Sequence, residues 1–220
     1  MTRERRLGLL GGAAVLAAVI VAIAIVVSQG GADENESEPA PPARVEAVPQ
    51  DGVWLGEPDA PATLVEFADL QCPFCADYAT GRLPEVIDRY VRTGELRLEL
   101  RLLAFIGPDS ERARQVAHAA ALQDRMWGFT ERFFRNQGPE DSGYATDAFL
   151  QRIARQTPGL DMDQLAEDYA SREAEALSRQ AERLGRQLAV EGTPAFYLVR
   201  DGGEPEQIEI DALGEALGGG

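Results

Sequence analysis

The sequence predicts an α/β domain, and three observations carry that expectation. An apolar strand, a helix opened by Cys72 and Pro73, and a second strand follow one another between residues 62 and 105, which makes a βαβ unit. Helical periodicity then runs from Asp109 to about Gln187, and two strand-like runs joined by "RDGGEP" form a hairpin near the C-terminus.

The N-terminus comes first in the chain and sets the compartment. Leu7 to Val27 is a run of 21 residues without a charge or strong polar group, preceded by Arg3, Arg5 and Arg6 and followed by Asp33, Glu34, Glu36 and Glu38. As a helix it crosses a bilayer core of about 30 Å, and the arginines place residues 1–6 on the cytoplasmic side. The segment 7–27 is expected to be a transmembrane signal anchor. A cleaved signal peptide is the alternative, with only Gly30-Gly31-Ala32 as a weak cleavage-like site. Either reading puts the rest of the chain on the extracytoplasmic side, where a dithiol pair can act as a disulfide donor.

Residues 28–50, rich in Gly, Ser, Pro and acids, read as a disordered linker, and residues 51–217 as one domain with a full core. The formal charge of the chain is −16; residues 1–27 carry +2 and residues 28–50 carry −4, which leaves −14 on the remainder. Charge of that sign repels phosphate, so no nucleic acid is expected as a partner.

Within the domain, "ATLVEFA" at 62–68 is apolar with β-branched and aromatic members and reads as a buried strand. The helix that follows runs through about Arg92, is interrupted and kinked by Gly81 and Pro84, and ends at Gly94. "ELRLELRLLAF" at 95–105 alternates apolar and charged residues as the second strand. Four or so helices fill the block from about 107 to 188, broken at 136–144 and 157–161. "AFYLV" at 195–199 and "EQIEI" at 206–210 form the hairpin, and a short helix covers 211–217.

Cys72 and Cys75 are the only cysteines in the 220 residues. A disulfide closing so short a loop stabilises by only about 2 kcal/mol, against about 3 for a fifteen-residue loop, so stability is a poor reason for the spacing. A structural zinc site needs two more ligands, and the chain has one histidine, His118, and no third cysteine. No metal site and no cofactor are therefore expected. What remains is a C-x-x-C pair whose sulfurs form and break a Cys72–Cys75 disulfide, a redox-active centre.

The order of these elements resembles the thioredoxin superfamily, and specifically the DsbA-like disulfide oxidoreductases: an α/β thioredoxin fold with an all-helical insertion between its halves. The resemblance rests on "LGEPDAPATLVEFADLQCPFC", "LPEVIDRYVRTGELRLELR", "RMWGFTERFFRNQ" in the insertion and "VEGTPAFYLVRDG" near the end. C-x-x-C after a strand, with Gly192-Thr193-Pro194 before another strand, is its most specific part. One departure is "LLAFIGPDSERAR" after the second strand, where the family often has a loop with proline and histidine.

The resemblance implies a protein disulfide oxidoreductase. Cys72, at the helix N-cap, is the expected nucleophile, because free backbone N–H groups and the positive end of the helix favour a thiolate there. Cys75, one turn inside, is the resolving thiol. Pro73 and Phe74 tune the pair; members with histidine at the second position gain a donor to the thiolate that Phe74 cannot supply, which implies a less extreme oxidant. The family's loop before its last strands implies a cis bond before Pro194, with the Thr193 backbone pairing to an extended substrate. The family often has a buried acid where this chain has Glu66, a possible proton acceptor for Cys75; alternation with Val65 and Phe67 fits a solvent-facing residue equally well.

Implied partners are unfolded or reduced exported proteins and a membrane quinone-linked reoxidant, DsbB-like or VKOR-like. A reductase or isomerase of the same fold, or a thioredoxin-fold binding or sensing module whose cysteines never turn over, are the alternatives. His118 is expected to be satisfied within its helix, Trp127, Phe129, Phe133 and Phe134 to build the insertion's core, and Arg172 to Arg186 to be a solvated face.

Overall fold

A computed structural model of the protein describes residues 44–218. The span expected over 7–27 and most of the linker expected over 28–50 lie outside those residues. Among the described residues, no helix is long and apolar enough to cross a membrane.

The packed part begins before Asp51. Arg44–Ala47 forms a 3-10 turn in which Val45 is buried, Val48 is buried after it, and β1 (Gln50–Asp51) pairs with β2 (Trp54–Leu55). The Pro- and acid-rich composition up to Gln50 conceals this, since two valines suffice to seat the segment against the core.

Among the described residues, six strands form one sheet in the order β1-β2-β4-β3-β5-β6. At its centre β3 (Ala62–Ala68) pairs in parallel with β4 (Leu96–Leu102), from Ala62↔Leu96 to Ala68↔Leu102. On its other side β3 runs antiparallel to β5 (Ala195–Arg200), which pairs in turn with β6 (Glu206–Ile208). Helices cover both faces, which is why β3 is buried along nearly its whole length rather than alternating between buried and exposed residues. Ala62, Leu64 and Ala68 pack into the larger core with the helix that follows β3 and the insertion; Val65 and Phe67 pack into a smaller one with Ala181 and Leu184.

The helix after β3 is interrupted around Gly81 and Pro84, and there it widens: α1 (Pro73–Asp77) passes through a π turn (Tyr78–Arg82) into α2 (Leu83–Val86) and a second π turn (Ile87–Val91). The Leu83 N–H bonds to the Tyr78 carbonyl five residues back. That extra residue per turn moves the carbonyls away from the Pro84 ring and leaves its missing N–H without a broken bond.

Five helices occupy the insertion: α3 (Gly107–Ala121), α4 (Met126–Arg135), α5 (Asp147–Arg155), α6 (Met162–Tyr169) and α7 (Arg172–Gln187). Thr146, Asp161 and Ser171 cap the last three through their side-chain oxygens. Trp127, Phe129, Phe133 and Phe134 are buried, and the Trp127 indole donates to the Val53 carbonyl at 3.0 Å, tying α4 to the β1–β2 corner. His118 is satisfied across helices rather than within its own: its ring lies 2.8 Å from the Ser178 hydroxyl of α7, and burial pushes it down to about 3. On α7, Ala174, Ser178, Ala181 and Gly185 form a buried stripe, so only the opposite face is solvated. The chain closes with a 3-10 turn (Ile210–Ala212) and α8 (Leu213–Ala216).

Candidate active site

Cys72 ends the turn that carries the chain from β3 into α1. It occupies the N-cap with extended backbone (φ −70, ψ 120), its N–H bonds to the Asp69 carbonyl at 3.0 Å, and its carbonyl accepts the first helical bond from Ala76 at 3.2 Å. Pro73 takes the first helical position, where its lack of an N–H costs nothing. This leaves the sulfur facing the free N–H groups of Phe74 and Cys75.

The two sulfurs sit in opposed environments. The Cys72 thiol is pulled from 9.0 down to about 6, first by a hydrogen bond from the Cys75 S–H, then by the Thr193 hydroxyl and the two backbone N–H groups, against the opposing effect of burial. Cys75 is pushed far up, because it donates to Cys72 and because it is fully buried. At neutral pH the pair therefore holds its proton on Cys75, with Cys72 favoured as the thiolate. The Thr193 carbonyl lies 3.2 Å from the Cys72 sulfur and accepts from the S–H of its protonated form.

The Thr193–Pro194 peptide bond is cis. Cys72 itself is 4% exposed, whereas Phe74 beside it is 69% exposed and is the most prominent apolar side chain at the site.

Glu66 is buried, 3% exposed, on the β3 face that carries α1. Burial alone pushes its carboxyl from 4.5 up to about 8, with no donor or cation acting the other way. Tyr78, one turn beyond Cys75, is also buried; its hydroxyl lacks a partner and feels the Glu66 charge.

Residues 49–217 match the thioredoxin family. The chain belongs to that family. It is 30% identical over 167 residues to the probable disulfide bond formation protein D of Bacillus cereus, which covers 74% of this chain and 76% of that one. Oxidised BdbD from Bacillus subtilis has the same fold, with a TM-score of 0.67 at 22% identity over 78% of this chain and 95% of that chain. A thioredoxin-like oxidoreductase from Silicibacter pomeroyi is similar at 30% identity, with a TM-score of 0.60 over 75% and 89% of the two chains. Within the thioredoxin family this is a DsbA-like thiol:disulfide oxidoreductase.

In this DsbA-like chain a polar cradle, unanticipated from the sequence, holds the active-site turn. Asp69 is fully buried and accepts four hydrogen bonds: from the Gln71 N–H (2.8 Å), the Ser110 hydroxyl (2.6 Å), and the N–H groups of Phe105 (2.7 Å) and Ile106 (3.0 Å). Gln71 is buried too, donating to Ser110 and accepting from the Asp141 N–H at 3.0 Å. Gln137, just after α4, donates to the Leu70 carbonyl at 2.7 Å and to the Cys72 carbonyl at 3.1 Å. The insertion therefore grips the backbone that presents Cys72. An aspartate directly after a strand is a turn signal that could have pointed to Asp69; nothing local marks Gln137, 65 residues away.

Proposed function

We propose that this chain is a membrane-tethered, extracytoplasmic oxidoreductase that introduces disulfides into exported proteins through Cys72 and Cys75. The observation that carries the reading is the split between the two thiols, about 6 for Cys72 and far above 9.0 for Cys75. Stabilising the Cys72 thiolate stabilises the reduced enzyme, which makes the disulfide a better oxidant. The apolar run 7–27 and its arginine flank support the tether.

In the forward reaction a substrate thiolate attacks the Cys72 sulfur of the disulfide. The S72–S75 bond breaks, a mixed disulfide forms, and Cys75 leaves as a thiolate that takes a proton from the Glu66 carboxyl. A second substrate thiolate then attacks the substrate sulfur, and Cys72 leaves as the stabilised thiolate; the substrate loses two electrons and the enzyme gains them. Thr193 and the cis Pro194 loop offer backbone beside Cys72 for an extended substrate. A quinone-linked membrane partner, DsbB-like or VKOR-like, returns the pair to the disulfide, the Cys75 proton passing back to Glu66.

The reduction potential of the pair tests the direction. Thioredoxin, a reductant, lies at about −270 mV and DsbA at about −120 mV. A value well above thioredoxin's and nearer DsbA's is expected; a value at or below thioredoxin's makes this a reductase or isomerase. Cys75→Ala is expected to trap substrate proteins as mixed disulfides on Cys72, and a complete lack of adducts points instead to a binding module.

A further inference from the structure

Asp69 reaches both cysteines through its backbone. Its carbonyl accepts the Cys72 N–H at 3.0 Å, and its own N–H bonds to the Cys75 sulfur. Its carboxylate is fully buried, and each oxygen takes two bonds. Oδ1 accepts from the Gln71 N–H at 2.8 Å and the Ser110 hydroxyl at 2.6 Å; Oδ2 accepts from the N–H groups of Phe105 and Ile106 at 2.7 and 3.0 Å. The first oxygen closes the turn that ends at Cys72. The second fixes that turn to the loop between β4 and α3.

A neutral asparagine or serine could close such a turn alone. Burying a carboxylate in its place is costly unless its lone pairs are answered, as they are here. What the second oxygen adds is stiffness between turn and loop, through charge-assisted bonds to two neighbouring N–H groups. Stiffness matters because Phe74, between the sulfurs, has no side-chain donor to give the thiolate. The Cys72 thiolate is held instead by the Cys75 S–H, the Thr193 hydroxyl and the N–H groups of Phe74 and Cys75. All but Thr193 belong to the helix tip, and their reach to sulfur depends on where the turn leaves Cys72.

We propose that Asp69 is a positioning residue for the redox step, holding one turn against both sulfurs and so setting the Cys72 thiolate and the Cys75 leaving group together. The inference rests on the reading of Cys72 as the nucleophile that the helix tip activates. When a substrate thiolate attacks Cys72, the S72–S75 bond breaks and its electron pair stays on Cys75. The Asp69 N–H already bonds to that sulfur and solvates the charge until a proton arrives. The Asp69 carboxylate, engaged by its four donors, acts through the backbone alone.

The test is the pH dependence of Cys72 alkylation in the reduced full chain, with the equilibrium against glutathione as a second readout. Asp69→Asn keeps the size of the side chain but turns one acceptor into a donor facing other donors. It is expected to raise the midpoint by about one pH unit and to weaken the disulfide as an oxidant about tenfold, which is about 30 mV. Gly56→Ala, whose contacts lie at the far end of β4, is the control: a lower melting temperature with the wild-type midpoint is expected. If Asp69→Asn matches the wild type in midpoint and potential, or if Gly56→Ala shifts the midpoint as far, the proposal is overturned and the reading of Cys72 stands. If Asp69→Asn does not fold, Ser110→Ala takes its place, since it removes one bond to Oδ1 and leaves the carboxylate. A shift in the same direction of about half a pH unit is then expected, and an unmoved midpoint overturns the proposal. A wild-type midpoint at the ordinary thiol value of 9.0 removes the reading of Cys72 itself, and this proposal with it.

Discussion

Replacing Glu66 with glutamine should stabilise the protein in a way that grows with pH. In the unfolded chain this carboxyl ionises at 4.5, and in the folded chain burial delays ionisation to about 8. Below 4.5 both states hold the proton and the residue contributes no penalty. Between 4.5 and about 8 the unfolded chain releases the proton while the folded chain keeps it, so each pH unit costs the fold about 1.4 kcal/mol. The accumulated penalty is about 3 kcal/mol at pH 7 and on the order of 5 above pH 8, where it levels off. Glutamine has no such titration, and its amide adds only a constant offset of about 1–3 kcal/mol from the extra donors it must satisfy. The measurement is urea unfolding of wild type and Glu66→Gln, with the cysteines held reduced, at intervals from about pH 4 to about pH 9. The difference in stability should be flat at the acid end, then rise in favour of the variant. A flat difference throughout would mean that the carboxyl is solvated, and the account of Cys75 protonation would lose its basis.

Gln137→Ala should cost about 1–3 kcal/mol, because the Leu70 and Cys72 carbonyls lose their shared donor, and should raise the Cys72 pKa as the N-cap loosens; a destabilised variant with an unchanged thiol titration would show that the clamp is structural only. Gly56→Ala should cost about 3 kcal/mol. Its φ of +110 is unfavourable for alanine, and the new Cβ would lie 2.9 Å from a Val91 methyl and 3.2 Å from the Leu96 carbonyl. Thermal unfolding reads this directly, and a melting temperature within about a degree of wild type would contradict it.

What was legible in the sequence was what is written locally. The β-branched and aromatic run of β3, the proline after Cys72 and the Gly-rich turn between β5 and β6 each announce their conformation within a few residues. The β1–β2 corner did not, because two-residue strands carry no periodicity and are held by distant partners: Trp54 opposite Glu99, and the Gly52 N–H on the Asp124 carboxylate at 2.8 Å. Arg97 over the Trp54 ring, 4.1 Å to its centroid, adds a contact that an alternating charged strand conceals. Cys72 and Cys75 were visible as a motif, but the roles of Asp69 and Gln71 were not, since their partners Phe105, Ile106, Ser110 and Asp141 come from further along the chain, nor was Gln137, which the insertion brings to the turn. Glu66 was ambiguous for a physical reason: strand alternation assigns a face, and only the tertiary structure says that α1 covers that face.

The helix tip and the Cys75 thiol together hold Cys72 toward its thiolate form. The most direct measurement is the pH dependence of Cys72 alkylation in the reduced, otherwise unaltered chain, with the modified residue identified by mass spectrometry. A midpoint of about 6 is expected, and a midpoint at the ordinary thiol value of 9.0 would contradict the account.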